Sequence, residues 1–115
     1  MNIIGNGVDI VENKRINKLI DDKKFIKRVF TNKEIRFSKN IKNKTNYYAK
    51  RFAAKEAFVK ALGTGFRNNI NFSDIEVITN KLGKPKINIS KKVRAYIKKK
   101  FKLDNPKIYV SLSDV

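Results

Sequence analysis

Lys50-Arg-Phe-Ala-Ala-Lys-Glu-Ala-Phe-Val-Lys-Ala-Leu-Gly-Thr-Gly65 decides the fold. The stretch lacks proline and is rich in Ala, Lys, Glu and Leu, all good helix formers. Thr45 or Asn46 suits the start of the helix and Gly63 the left-handed residue that ends it. At ~100° per residue, Phe52, Val59, Leu62, Phe58 and Ala53, Ala54, Ala57 and Ala61 leave no broad polar face. A helix apolar nearly all round is expected to be buried. Ala53, Ala57 and Ala61 form a small-residue stripe along which another element can approach closely. Charges on such a helix need partners, yet Glu56 and Lys60 lie four apart, as do Arg51 and Lys55. One reading is i,i+4 pairing on a narrow wet face. The other is a carboxylate and an ammonium aimed into a site, followed by a Gly-Thr-Gly turn able to approach phosphate. The helix alone leaves both open.

Composition narrows the classes. The 115 residues, with no long linker, predict one domain over 1–115 with one small core. No apolar run nears the ~20 residues that span a membrane, so no membrane partner is expected. The sequence has neither cysteine nor histidine. That excludes disulfides, thiolate chemistry, histidine triads and ordinary zinc sites, and fits a cytoplasmic protein. Any metal here would be a hard cation on carboxylate oxygen. The net charge of +18 asks for an acidic partner. Nucleic acid satisfies that electrostatics, as do anionic cofactors and acidic proteins. Lys outnumbers Arg 22 to 6, and Ile and Asn are abundant, a set that shares A/T-rich codons. Part of the charge therefore reflects coding bias rather than a ligand, which weakens the nucleic-acid reading.

Along the chain, residues 3–11 read as a strand with Gly5, Gly7 and Asp9 on one face. Glycines there mark close approach of a ligand or backbone; Asp9 is either a cap for the next segment or a functional carboxylate. A helix is expected over 12–22, with Ile16, Leu19 and Ile20 inward. A basic segment, 23–30, follows, with Phe25, Ile26, Val29 and Phe30 on one stripe. Thr31-Asn-Lys-Glu34 has the form of a capping box, so a third helix begins there. After a polar loop over 38–46 comes the long helix. Residues 74–79 and 86–90 alternate as strands around a Gly-containing hairpin connection. Ser90 suits the cap of a helix over 91–101, and a last strand is expected over 107–112. The class is α+β, a mostly antiparallel sheet packed against a long buried helix.

Gly5-Asn-Gly-Val-Asp-Ile-Val11, Arg51-Phe-Ala-Ala-Lys-Glu-Ala57 with Lys60, Gly63-Thr-Gly65, Asp74-Ile-Glu76, Gly83-Lys-Pro85 and Val110-Ser-Leu-Ser113 occur together in this order. In these segments the chain resembles holo-[acyl-carrier-protein] synthase, the small bacterial type of 4′-phosphopantetheinyl transferase, over nearly its whole length. The resemblance implies transfer of the 4′-phosphopantetheine arm of coenzyme A to a serine of apo acyl carrier protein, for fatty-acid biosynthesis, releasing adenosine 3′,5′-bisphosphate. It implies Asp9 and Glu56 as Mg²⁺ ligands, and Lys60, with them, as a catalytic residue that neutralises phosphate or assists proton movement. It assigns Arg51, Lys55, Gly63, Thr64, Gly83, Lys84, Pro85 and Ser113 to coenzyme A. It also implies a homotrimer with sites between subunits. Lys14, Arg15, Lys18, Lys24 and Arg28, on the first helices, are the expected face for an acidic carrier protein.

Two departures stand out. Asp114 occupies a position where the family commonly has histidine, and an acidic side chain there repels phosphate. The family also has a further strand beyond Val115, so an unpaired sheet edge is expected. A catalytically impaired family member is thus one alternative, and a basic nucleic-acid-binding module the other.

Overall fold

A computed structural model describes residue 5 and residues 13–112. The expected first strand, apart from Gly5, lies outside the described residues, as do Asp9, Ser113 and Asp114.

Three short helices come first: α1 (Asn13–Leu19), α2 (Lys23–Val29) and α3 (Asn32–Ser38). The Asp22 carboxylate caps α2 by accepting from the backbone of Lys24 and Phe25. The Thr31–Glu34 capping box forms as its spacing predicts: the Thr31 hydroxyl accepts from Glu34 N–H and the Glu34 carboxylate accepts from Thr31 N–H. The long helix α4 runs Lys44–Leu62. Its cap is Asn43, whose side chain accepts from Asn46 N–H, so Thr45 and Asn46 lie inside the first turn instead of ending it. Gly63 closes the helix at φ 77°, a left-handed conformation that a side chain would strain.

A 3₁₀ turn (Phe72–Asp74) leads into β1 (Ile75–Thr79), which pairs antiparallel with β2 (Pro85–Ile89), Val77 opposite Ile87. Asn80 builds the connection: its side-chain oxygen accepts from the backbone of Leu82 and Lys84. Ser90 caps α5 (Lys91–Phe101) through Val93 N–H.

The last expected strand, 107–112, is not one. Its side chains alternate as in a strand, with Ile108, Val110 and Leu112 half-buried and Lys107, Tyr109 and Ser111 exposed. Alternation sets which face each side chain takes, but a strand also needs an edge to bond. Among the described residues the sheet has two strands only. A cavity of about 510 Å³, lined by residues 86–89 of β2, Arg94, Pro106 and Ile108, lies where that contact would form.

Two apolar clusters explain the odd composition of α4. Phe52, Tyr47, Tyr48 and Ala49 pack with Ile16, Phe25, Ile26, Val29 and Phe30. Phe58, Val59 and Leu62 pack with Ile70, Ile75, Val93 and Ile97. The helix is the shared wall of both, so apolar residues are needed on most of its circumference.

Gly5 meets α4 at its last turn. A Cβ there would stand 1.8 Å from the Ala61 carbonyl oxygen and 2.7 Å from its carbon, both rigid backbone atoms. Gly5→Ala is therefore expected to destabilise the fold by about 1–3 kcal/mol, the usual cost of overpacking. A urea midpoint unchanged by the substitution would contradict this contact.

Asp74 gives a smaller, pH-dependent test. Its carboxylate accepts from Asn71 N–H at 2.8 Å and pairs with Lys92 at 3.1 Å. Burial pushes this carboxyl up, but the Asn71 N–H, Lys92 and Ser90 outweigh it and hold the group below its ordinary value of 3.8. A depressed carboxyl stabilises the fold above the unfolded value and loses that contribution as pH falls through the folded one. Asp74→Ala should cost about 1 kcal/mol at pH 7. The gap to the unaltered chain, read from urea melts, should narrow below about pH 3.8.

Candidate active site on the long helix

One face of α4 escapes burial. From Asn46 to Leu62 the residues not buried are Asn46, Lys50, Ala53, Glu56, Ala57, Lys60 and Ala61. At ~100° per residue these fall within one sector of roughly 140°. The small-residue stripe is thus flanked by Glu56 and Lys60, and its C-terminal end carries the Gly5 contact. Glu56 and Lys60 each have interactions in this setting. Beyond Lys60 the chain folds back on the helix end: Gly63 N–H donates to Lys60 O, Thr64 N–H to Val59 O, and the buried Thr64 hydroxyl to Gly65 O at 2.6 Å.

A second group gathers at the N-terminal half of α4. Arg51, Gly83 and Pro85, expected to serve coenzyme A, line one cavity of about 310 Å³ with Asn43, Asn46, Tyr47 and Lys50. Arg51 is 5% exposed; its guanidinium lies 3.6 Å from the Tyr47 ring centre and donates to Tyr47 O. Its Nε is buried with no hydrogen-bond partner among the described residues. Burial pushes the Arg51 pKa down, and burial drives the Tyr47 phenol up to about 12. Asn43, Tyr47 and Lys50 went unrecognised in the sequence because nothing in local spacing ties them to the hairpin turn. Lys84 is exposed on that turn, its N–H held by the Asn80 side chain.

Lys55 does not join either group. It was expected at coenzyme A, but its ammonium is fully buried and satisfied within the protein. It donates to Glu34 Oε1 at 2.8 Å, Phe72 O at 3.0 Å and Ile75 O at 2.5 Å. Burial lowers its pKa, opposed by the facing Glu34 carboxylate. Lys55 projects from the back of α4, roughly 140° from Lys60 at ~100° per residue, and so cannot reach the open face.

Lys14, Arg15, Lys18, Lys24 and Arg28 are all exposed, on α1 and α2. Among the described residues no cluster of three His, Cys, Asp or Glu forms a metal cage. Glu56 is thus the carboxylate of the assigned metal pair within view, Asp9 being the other.

Residues 5–110 match the model of the 4′-phosphopantetheinyl transferase superfamily. The chain belongs to that superfamily. It is 54% identical to the holo-[acyl-carrier-protein] synthase of Pelagibacter ubique over 99% of this chain and 89% of the relative. Its fold is similar to that of the holo-[acyl-carrier-protein] synthase of Neisseria meningitidis, with a TM-score of 0.79, 37% identity, and coverage of 87% of this chain and 82% of the other. It also resembles the Bacillus anthracis enzyme in complex with coenzyme A (3′,5′-ADP), at TM-score 0.70, 44% identity and 76% coverage of each chain. Phosphopantetheinyl transferase membership is consistent with the two-stranded sheet and long helix found here. Among the described residues no helix is long and apolar enough to cross a membrane.

Proposed function

We propose that this chain is a holo-[acyl-carrier-protein] synthase that moves 4′-phosphopantetheine from coenzyme A to a serine of apo acyl carrier protein. The observation that carries the reading is the open face of α4. It presents a carboxylate and an ammonium, Glu56 and Lys60, beside a backbone turn, on a helix otherwise enclosed by core.

In the reaction the serine oxygen attacks the phosphorus that bears pantetheine. The new P–O bond forms as the bond to the leaving adenosine 3′,5′-bisphosphate breaks, and the serine proton is lost to Glu56 or to water. Such transfer needs charge neutralisation more than a strong base, so the lack of histidine is no obstacle. Lys60 offsets charge on the phosphate oxygens. Arg51, Gly83 and Pro85 bound the cavity that seats the nucleotide end, with Lys84 at its rim; Gly63 and Thr64 shape the turn beside Lys60.

Mg²⁺ fits the donor set. Glu56 supplies carboxylate oxygen, the ligand type a hard cation takes. Asp9 is four residues from Gly5, a reach of up to about 14 Å of extended chain. Glu56 is five residues from Ala61, about 7.5 Å along the helix. The chain is long enough for both carboxylates to meet. When bound, the cation would supply charge stabilisation at the pyrophosphate.

We further propose a homotrimer with sites between subunits, a cytoplasmic location, a role in fatty-acid biosynthesis, and docking of an acidic carrier protein on Lys14, Arg15, Lys18, Lys24 and Arg28. The +18 net charge supports the last. The test is incubation with coenzyme A, Mg²⁺ and an apo carrier protein. The carrier should gain one phosphopantetheine; no gain, where a known transferase succeeds, rejects the activity.

A further inference from the structure

We infer that the buried Glu34–Lys55 pair is a positioning device for the transfer reaction, fixing the rotation of α4 so that Glu56 and Lys60 face the site. The inference rests on the proposed activity.

Both side chains are fully buried, and the pair binds three elements at once. Glu34 Oε1 accepts from Lys55 and from Thr31 N–H, while Oε2 accepts from Val77 N–H at 2.8 Å. Lys55 also donates to Ile75 O. Ile75 and Val77 lie two apart on β1, so their free backbone groups point to the same side. Among the described residues, the pair therefore bonds the edge of β1 that β2 does not. The Glu34 carbonyl, in turn, accepts from the Tyr47 hydroxyl two turns earlier on α4.

The economy of the arrangement argues for orientation over stability. Buried ion pairs often stabilise no more than apolar residues of similar volume, because desolvation offsets the attraction. Apolar packing resists rotation about a helix axis through many weak contacts that can adjust together. Three directed bonds from one ammonium cannot adjust in that way. Lys55 is next to Glu56 in sequence, so any turn of the helix at 55 is passed directly to 56. At the ~5–6 Å radius of a helix with side chains, a 10° rotation moves the Glu56 carboxylate by about 1 Å. A misplacement of that size costs on the order of 10²-fold in rate.

The test compares the unaltered chain with Glu34→Gln, Lys55→Met and the double variant, below every unfolding midpoint. The readouts are kcat, the KM for coenzyme A, and the Mg²⁺ concentration for half-maximal rate. The double variant, with no lone buried charge, should stay folded while kcat falls about 10²-fold. Its KM for coenzyme A should change as well, because Arg51 lies on the same helix about 40° from Lys55 and turns with it. Its Mg²⁺ midpoint should rise. A merely structural pair would move none of these in a folded double variant. A folded double variant with kcat and Mg²⁺ midpoint within about twofold of the unaltered chain overturns the inference alone. Should the double variant not fold, Glu34→Gln with Lys55→Gln, which also leaves no lone buried charge, carries the same test. Absence of transfer by the unaltered chain overturns the proposed activity, and the positioning role with it.

Discussion

Glu56→Gln should lower the rate of carrier-protein modification by on the order of 10²–10³-fold, the scale of losing one group that stabilises transition-state charge. The amide keeps the length and shape of the side chain but neither its charge nor its basicity. Glu56 is half-buried on the one open face of α4, away from both apolar clusters. Its substitution should therefore leave the thermal midpoint nearly unchanged, as at most positions outside the core. Asp9→Ala should act in the same direction. Retained activity in either variant would refute the metal assignment.

The largest effect on stability should come from Lys55→Met. The substitution leaves the Glu34 carboxylate buried without its cation, holding only N–H donors from Thr31 and Val77. Breaking a buried pair from one side costs about 3–5 kcal/mol. Domains of this kind are stable by only about 5–15 kcal/mol, so a large part of the total goes. The Ile75 and Phe72 carbonyls lose their donor as well. Adding Glu34→Gln should recover much of the loss, and urea melts of the four proteins give the coupling by a double-mutant cycle. Strict additivity would mean that the two groups do not act as a pair.

These residues also mark where sequence reasoning succeeds and where it stops. Capping is local, so the Thr31–Glu34 box, Ser90 and Gly63 could be read from neighbours three or four positions apart. The 75–89 hairpin was legible for the same reason, from alternation around Gly83. Glu34 was recognised as a cap only. Its second role needs Lys55, 21 residues on, and Val77, 43 residues on, and no local pattern encodes those encounters. Lys55 was misplaced for the complementary reason. A wheel that is apolar nearly all round has no visible front, and only the two clusters reveal which sector stays open. The segment 107–112 kept the alternation of a strand, but among the described residues it meets no edge to join, since β1 is closed by the ion pair and β2 is set off by a cavity. The sequence-level pairing of Glu56 with Lys60 and the small-residue stripe did identify the face that remains available.

Intact-mass measurement of an apo carrier protein, before and after incubation with this chain, coenzyme A and Mg²⁺, tests the central claim most directly. A second carrier with its acceptor serine replaced by alanine serves as control. The serine carrier should gain one phosphopantetheine, with one adenosine 3′,5′-bisphosphate released for each, and the alanine carrier neither. An unmodified serine carrier, under conditions where a known transferase completes the reaction, would contradict that claim.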